Sequence, residues 1–408
     1  MAFAFTSFIC PSETTRQADR VLPLKELPDW TVRRYTTEKD ITEDWPAADR
    51  SDDFWLQPAV LDYQLSNPQG ISTVPLEVTN VRDGRRVLLT AQSFHFSAAG
   101  QVSDAAKGET SGYDLRRRLL APFSFRVLTL GQFLVSGNYA SSGLDQLTRE
   151  ETLAVLPALA DTLLASDRSF AAVLIKDLYA LNSPVTEALT TRGFYLLPAD
   201  PILQVAIPAT WASLEDYLAN LKSKYRVRYR RARAKLEGLT RRPLTAAMVG
   251  HHRERIYQLY KHTSSGSDFN AVALTPTYFP WLAEHGRDGA TRFHGYFDAA
   301  GTLVAFTSTI ANGPTLHAHF LGIEDACKSS HHLYHNILFD LLEDAITGGF
   351  AVLDYARTAP EIKTSVGATA TEYACLLRAR SGVINRLIPM FTPAVYKATP
   401  WTPRNPFR

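Results

Sequence analysis

The segment Ala351-Val-Leu-Asp354-Tyr355-Ala-Arg357-Thr358 ends an apolar run with a carboxylate, an aromatic ring and a guanidinium, and Lys363 and Gly367-Ala368 follow. These residue types suit anion handling. Arginine grips planar oxyanions bidentately, lysine adds a point charge, and a carboxylate can orient the guanidinium. Ligands of open α/β sheets bind outside the carboxyl ends of the strands. The same spacing also allows a purely structural ion pair between Asp354 and Arg357. A second set lies in Thr315-Leu-His317-Ala-His319-Phe-Leu321, where alternation along a strand puts His317 and His319 on one face. Either can accept a proton near neutral pH, and either can be a packed, hydrogen-bonded core histidine. Glu324 and Asp325 are further candidate bases or charges at a helix start. His331 and His335 stand four apart on the next helix, but no carboxylate or thiolate completes a ligand set, so no metal is expected.

Elements of regular spacing must hold these residues. Pro75–Val81 and Arg85–Ala91 flank Asp83-Gly84, a strong hairpin signal. An irregular charged insertion around residues 97–122 precedes a strand at Phe125–Leu130. Thr148-Arg-Glu-Glu151 opens a helix with a hydroxyl cap and acidic first turn. Ala171–Ile175 reads as a strand buried on both faces, and Val185–Arg192 as a short helix stopped by Gly193. The second half repeats this order. Phe293–Phe297 and Leu303–Ile310 form a hairpin, Thr315–Leu321 a strand, Leu333 to Ile346 an amphipathic helix, Ala351–Tyr355 a buried strand and Ala359–Val366 a short helix.

The chain has 408 residues, 45% hydrophobic and 21% charged, with a formal net charge of +2. That length suggests two or three domains. Its three cysteines, Cys10, Cys327 and Cys375, have no metal-ligand spacing, which fits a reducing, cytoplasmic setting. Met1–Cys10 is apolar without a basic leader and reads as a first strand rather than a signal peptide. No apolar run is long enough to span a membrane.

Charge is concentrated in one place. Ser213-Leu-Glu-Asp216 resembles a capping box, and a single helix is expected from there to Gly238. It carries Lys222, Lys224, Arg226, Arg228, Arg230, Arg231, Arg233 and Lys235 against one late acid, Glu237. Ordinary solvated helices mix both signs; this field attracts an anionic partner. Phosphate-rich small molecules, the acceptor arm of an aminoacyl-tRNA and an acidic acyl carrier protein all qualify. The aromatic tail, Pro389-Met-Phe-Thr-Pro and Tyr396 to Phe407, reads as a segment packed across a domain junction or as an interfacial anchor on a lipid or polysaccharide surface.

Hairpin, strand, helix, strand, helix, strand, given twice, resembles the layout of tandem GNAT acyltransferases. From about residue 200 to 376 the sequence is similar to the Fem-like members, the peptidoglycan aminoacyl transferases and their relatives. The motifs are Leu214–Leu236, Gly295–Leu321, and Asp354-Tyr-Ala-Arg357-Thr358 with Lys363 and Gly367-Ala368. The resemblance implies an α/β fold with mixed sheets: two GNAT-like domains, each a central mixed sheet flanked by helices, joined by the long basic helix. The expected divisions are 1–200, a linking strand and helix over 201–240, and 241–408. It implies a bacterial, cytoplasmic N-acyltransferase acting on an amine of a small or cell-envelope-related substrate, the alternative being an inactive scaffold that binds an anionic partner. Arg357, Lys363, Lys224, Arg226 and Tyr296 are then expected to bind substrate, with Asp354 orienting Arg357 and His317 or His319 assisting proton removal. The loop Gly322–His331 lacks the glycine run that cradles coenzyme A in many relatives, although Lys328, Ser329 and Ser330 offer an anion site. No firmly bound cofactor is expected. The donor is left open among acyl-CoA, acyl carrier protein and aminoacyl-tRNA, the last two docking on the basic helix.

Overall fold

The computed structural model describes residues 21–46, 53–97, 124–264, 272–286, 289–395 and 400–408. The readings made for Met1–Cys10 and for most of 97–122 lie outside these residues. The first half contributes β1 (Val21–Leu24), β2 (Leu27–Arg34), β3 (Ser72–Asn80), β4 (Arg86–Ser97), β5 (Ser124–Leu130), β6 (Ser141–Ser142), β7 (Phe170–Ala180) and β8 (Tyr195–Leu197). β9 (Ile202–Ala206) closes the first half, and the second contributes β10 (Thr240–Leu244), β11 (Thr291–Phe297), β12 (Leu303–Asn312), β13 (Thr315–Ile323), β14 (Val352–Asp354), β15 (Thr369–Thr371) and β16 (Tyr373–Ala379).

These strands form two mixed sheets. The first runs β1-β2-β3-β4-β5-β7-β16-β8 with β6 beside β4, and the second runs β10-β11-β12-β13-β14-β9-β15. Each has one parallel pair, β5 with β7 and β13 with β14. A helix makes each crossover, as parallel pairing requires. Arg149–Ser166 does so in the first half, opened by the expected capping box of Thr148 and Glu151. Leu333–Thr347 does so in the second, burying Leu333, Ile337, Leu338, Leu341, Leu342 and Ile346.

The last strands are exchanged. β16 follows β15 in the chain but enters the first sheet between β7 and β8, while β9 follows β8 but enters the second sheet between β14 and β15. Leu203, Val205 and Leu376 on these strands are fully buried. Each such side chain contributes about 1.5–3 kcal/mol, and the ladder hydrogen bonds of both strands tie one half to the other.

The basic helix departs from expectation. It is two helices, Leu214–Asn220 and Ser223–Ala234, rather than one. Leu221 adopts an extended conformation and pairs with Phe407, and the Lys222 N–H donates to Pro406 O (2.8 Å). The tail segment thus takes the backbone groups that a continuous helix would use. Phe407 packs near Trp211 and Tyr217, so this end of the aromatic tail is internal packing.

The two parallel pairs differ at their carboxyl ends. β5 stops at Leu130, and Gly131 turns the chain away at φ 126°, where an added Cβ would lie 2.5 Å from Lys176 O. The Lys176 ammonium then donates to Gln132 O (2.8 Å) and Val135 O (3.2 Å), sealing the gap beside β7. Gly131→Ala is therefore expected to cost at least about 2 kcal/mol more than Gly84→Ala, a hairpin glycine at φ 76° with no atom within 4 Å of an added Cβ. Urea unfolding of both variants measures the difference; equal losses would show that the close approach at Gly131 is not maintained.

Candidate functional site

In the second half the corresponding gap stays open. β13 and β14 pair over Thr315 with Val352, Leu316 with Leu353 and His317 with Asp354, and there the pairing ends. β14 ends where the chain turns at Ala356, whose φ is 56°, while the Tyr355 N–H continues the ladder to Leu203 O on the exchanged β9 (2.9 Å). β13 runs on to Ile323, so beyond His317 no strand among the described residues pairs with that edge. Its other edge carries a bulge, His319 and Phe320 standing opposite Ser308 alone. The Ser308 hydroxyl repairs the ladder, accepting from the Phe320 N–H (3.1 Å) and donating to Phe320 O (3.0 Å). An irregular strand with a free backbone edge can bind an extended, amide-bearing chain.

His317 sits at the apex of this splay and is only 4% exposed. Its Nδ1 lies 3.7 Å from Asp354 Oδ2, and the Tyr139 ring meets it edge-on at 4.5 Å between centroids. Nε2 has no hydrogen-bond partner among the described residues. Burial pushes His317 down to about 3 and pushes the Asp354 carboxyl up to about 6. Both environments disfavour charge, so the 3.7 Å approach is a polar contact rather than an ion pair. Asp354 is further held by the Ala356 N–H (2.6 Å) and by the Gln204 amide (3.0 Å) from β9. The result is a neutral imidazole with Nε2 unpartnered among the described residues and a carboxyl behind Nδ1.

His319 differs. Its Nε2 accepts from the buried Tyr278 hydroxyl (2.6 Å), and its ring lies 5.6 Å from that of Trp55. Burial, aided by His317, pushes it down to about 3. With Nε2 engaged by Tyr278 it belongs to the aromatic packing, whereas His317 Nε2 is buried without a partner among the described residues.

Arg357 and Lys363 are not free anion grips. The Arg357 guanidinium donates to Asp177 Oδ1 on β7 (2.5 Å) and to Asp200 O. Asp177 also takes the Lys176 ammonium (2.6 Å) and the Gly137 N–H (3.3 Å). Burial alone would raise its carboxyl, but Lys176 and Arg357 outweigh this and hold it below the usual range. Lys363, 4% exposed, donates to Arg357 O (2.5 Å) and weakly to Ala356 O (3.4 Å). Burial pushes it down to about 7. These bonds clamp a loop in which Ala356, Thr358 and Ala359 all have positive φ, conformations costly for residues with a Cβ. The expected orientation of Arg357 by Asp354 gives way to pairing with Asp177, which sequence reasoning missed. Its signal was an acid just after an all-apolar strand, as at Asp354.

The remaining expected residues lie elsewhere. Tyr296 is sealed in the core, its hydroxyl donating to Asp340 Oδ2 (2.6 Å), so it does not face a ligand. Lys328, Ser329 and Ser330 belong to a separate six-residue helix, Asp325–Ser330. Lys328 pairs with Asp325 (2.7 Å) and Ser330 donates to Ala326 O (2.5 Å), so the expected anion cradle is not assembled there. A surface hollow of about 370 Å³ beside it is lined by groups already partnered, Arg255 in a salt bridge with Glu324 and His262 in hydrogen-bond contact with Asp325. Arg226 turns back onto Leu221 O and Ser223 Oγ, while Lys224 is exposed over the Tyr225 ring (5.0 Å).

Because the folded state binds the Asp354 proton more tightly than the unfolded chain does, this group favours folding at low pH, and the benefit is lost as pH rises from about 4 through about 6. Relative to the natural protein, Asp354→Asn should thus gain about 2–3 kcal/mol between pH 4 and 7 in urea unfolding. A difference that stays flat with pH would contradict this setting of the carboxyl.

Comparisons with known proteins bear on the fold. The family model for the GNAT acetyltransferase domain matches residues 223–364, the span that includes β13 and β14. A search of the curated proteins finds no match for the sequence. Among solved structures, FemX is similar with a TM-score of 0.51 at 10% identity, covering 87% of this chain and 99% of its own. A tandem GNAT protein from the clavulanic acid biosynthesis pathway gives 0.46 at 11% identity, over 80% of this chain and 88% of its own. L-PGS from Bacillus licheniformis gives 0.43 at 10%, over 67% and 83%.

Proposed function

We propose that the chain is a Fem-like member of the GNAT superfamily and that N-acyl transfer takes place in the splay between β13 and β14 of the second half. The observation that carries this reading is His317, buried at the apex with a free Nε2 and a carboxyl behind it. An acceptor amine attacks the donor's acyl carbon, forming the new C–N bond. His317 Nε2 takes the proton that the amine sheds, and the Asp354 carboxylate offsets the imidazolium charge as it forms. Backbone N–H groups on the free edge of β13 are the donors available to the oxygen as it gains charge. Collapse of the intermediate breaks the bond to the carrier, which leaves with a proton returned from His317.

The donor is proposed to be carried by a polyanion. Lys224, Arg228, Arg230, Arg231 and Lys235 are exposed on one helical segment, and none is in a salt bridge among the described residues. A twelve-residue helix extends about 18 Å, more than one pyrophosphate needs, which favours an aminoacyl-tRNA or an acylated carrier protein over acyl-CoA. The family resemblance supports an amine on a cell-wall precursor as acceptor. Cys327 and Cys375 are free thiols, in keeping with a cytoplasmic setting, and no helix among the described residues is long and apolar enough to cross a membrane.

The test is acyl transfer measured by mass spectrometry with acyl-CoA, aminoacyl-tRNA and acylated carrier protein as donors and a panel of amines. His317→Gln should lower kcat by about 10²–10⁴-fold. The natural enzyme's rate should rise with pH through about 6, as Asp354 becomes the carboxylate that supports the imidazolium. A full rate in His317→Gln would remove the histidine from the reaction. Donor binding without turnover would identify a scaffold that binds and does not catalyse.

A further inference from the structure

One surface has no part in the transfer site. The helix Gly382–Val395 packs on β8 and β16. Ile388 is buried, and Asn385 pins the helix by donating to Gly193 O (2.8 Å) and accepting from the Ala379 N–H (2.8 Å). The outward face carries Val383, Ile384, Leu387 and Met390, exposed by 70, 56, 38 and 72%. Among the described residues only Val21, Val81 and Val227 are comparably exposed large apolar residues, and they are scattered. Positions 383, 387 and 390 fall on one stripe, with Arg386 beside it. Contiguous apolar surface of this kind marks an interaction site.

Charge identifies the occupant. From Tyr373 to Arg408 the sequence contains no Asp or Glu and six Lys and Arg residues. Arg378 and Arg404 are paired with Asp161 and Glu361, but Arg386 has no carboxylate partner among the described residues. A second copy seated on this face would bring Arg386 no acidic side chain from the same stretch to pair with. An anionic lipid surface complements both properties, because an interfacial helix buries its apolar face while basic residues meet the headgroups.

We infer that the helix Gly382–Val395 docks the protein on an anionic bilayer, with Val383, Ile384, Leu387 and Met390 entering the interface and Arg386 at the headgroups. This inference is independent of the transfer chemistry. The test is sedimentation of the full chain with vesicles of phosphatidylcholine mixed with phosphatidylglycerol, and with phosphatidylcholine alone. Binding is expected to the mixed vesicles and to weaken as salt rises. Val383→Glu combined with Met390→Glu should reduce the bound fraction about tenfold or more. These positions are exposed, so the variant should keep its unfolding midpoint. Failure of the natural chain to bind mixed vesicles, equal binding by a folded variant, or a dimer in solution that the variant abolishes would each overturn the proposal.

Discussion

The strand exchange is the constraint on which the rest of the molecule depends. β9 and β16 lie each beside the central parallel pair of the sheet to which they cross. Neither half can unfold or move away without exposing the ladder groups of the other, and unpaired backbone groups are costly to bury. The exchange also builds the site. β9 carries the ladder of β14 on to the Tyr355 N–H, and Gln204 on the same strand holds Asp354. On the other side, Cys375 on β16 lies against Asp177.

A chain of buried polar groups follows from this arrangement. Asp177 holds Arg357, the Arg357 carbonyl takes Lys363, the Ala356 N–H binds Asp354, and Asp354 stands behind His317. Breaking one member of such a network leaves another buried without compensation. The strained loop at Ala356 to Ala359 persists because these bonds over-determine it. In the first half the gap after β5 is bridged instead by Lys176 of β7, whose ammonium is spent on the carbonyls of Gln132 and Val135 and on Asp177.

Much of this was legible in the residues. The Asp83-Gly84 hairpin, the capping box at Thr148, the helix Leu333–Thr347 and the strand ending at Asp354 all announce themselves through local chemistry and periodicity. What the pattern could not convey was partnership across distance. Ile202–Ala206 and Tyr373–Ala379 look like any short buried strands, and nothing in them names the sheet they join. For that reason Arg357 was assigned a ligand when its partner was Asp177, and Tyr296 was placed at the site when Asp340 claims its hydroxyl. The break at Leu221 has the same origin, since Phe407, far along the chain, supplies the competing backbone pairing.

The dependence of the second half's site on the first is the central claim, and Asp177→Asn tests it most directly. Asp177 lies in the first sheet and touches no part of the splay, yet through Arg357 it holds the loop that positions Asp354. With folded protein confirmed by near-ultraviolet circular dichroism, kcat for acyl transfer to a soluble amine should fall at least about tenfold while donor affinity is kept. An unchanged kcat in the folded variant would show that the second half's site stands without the first.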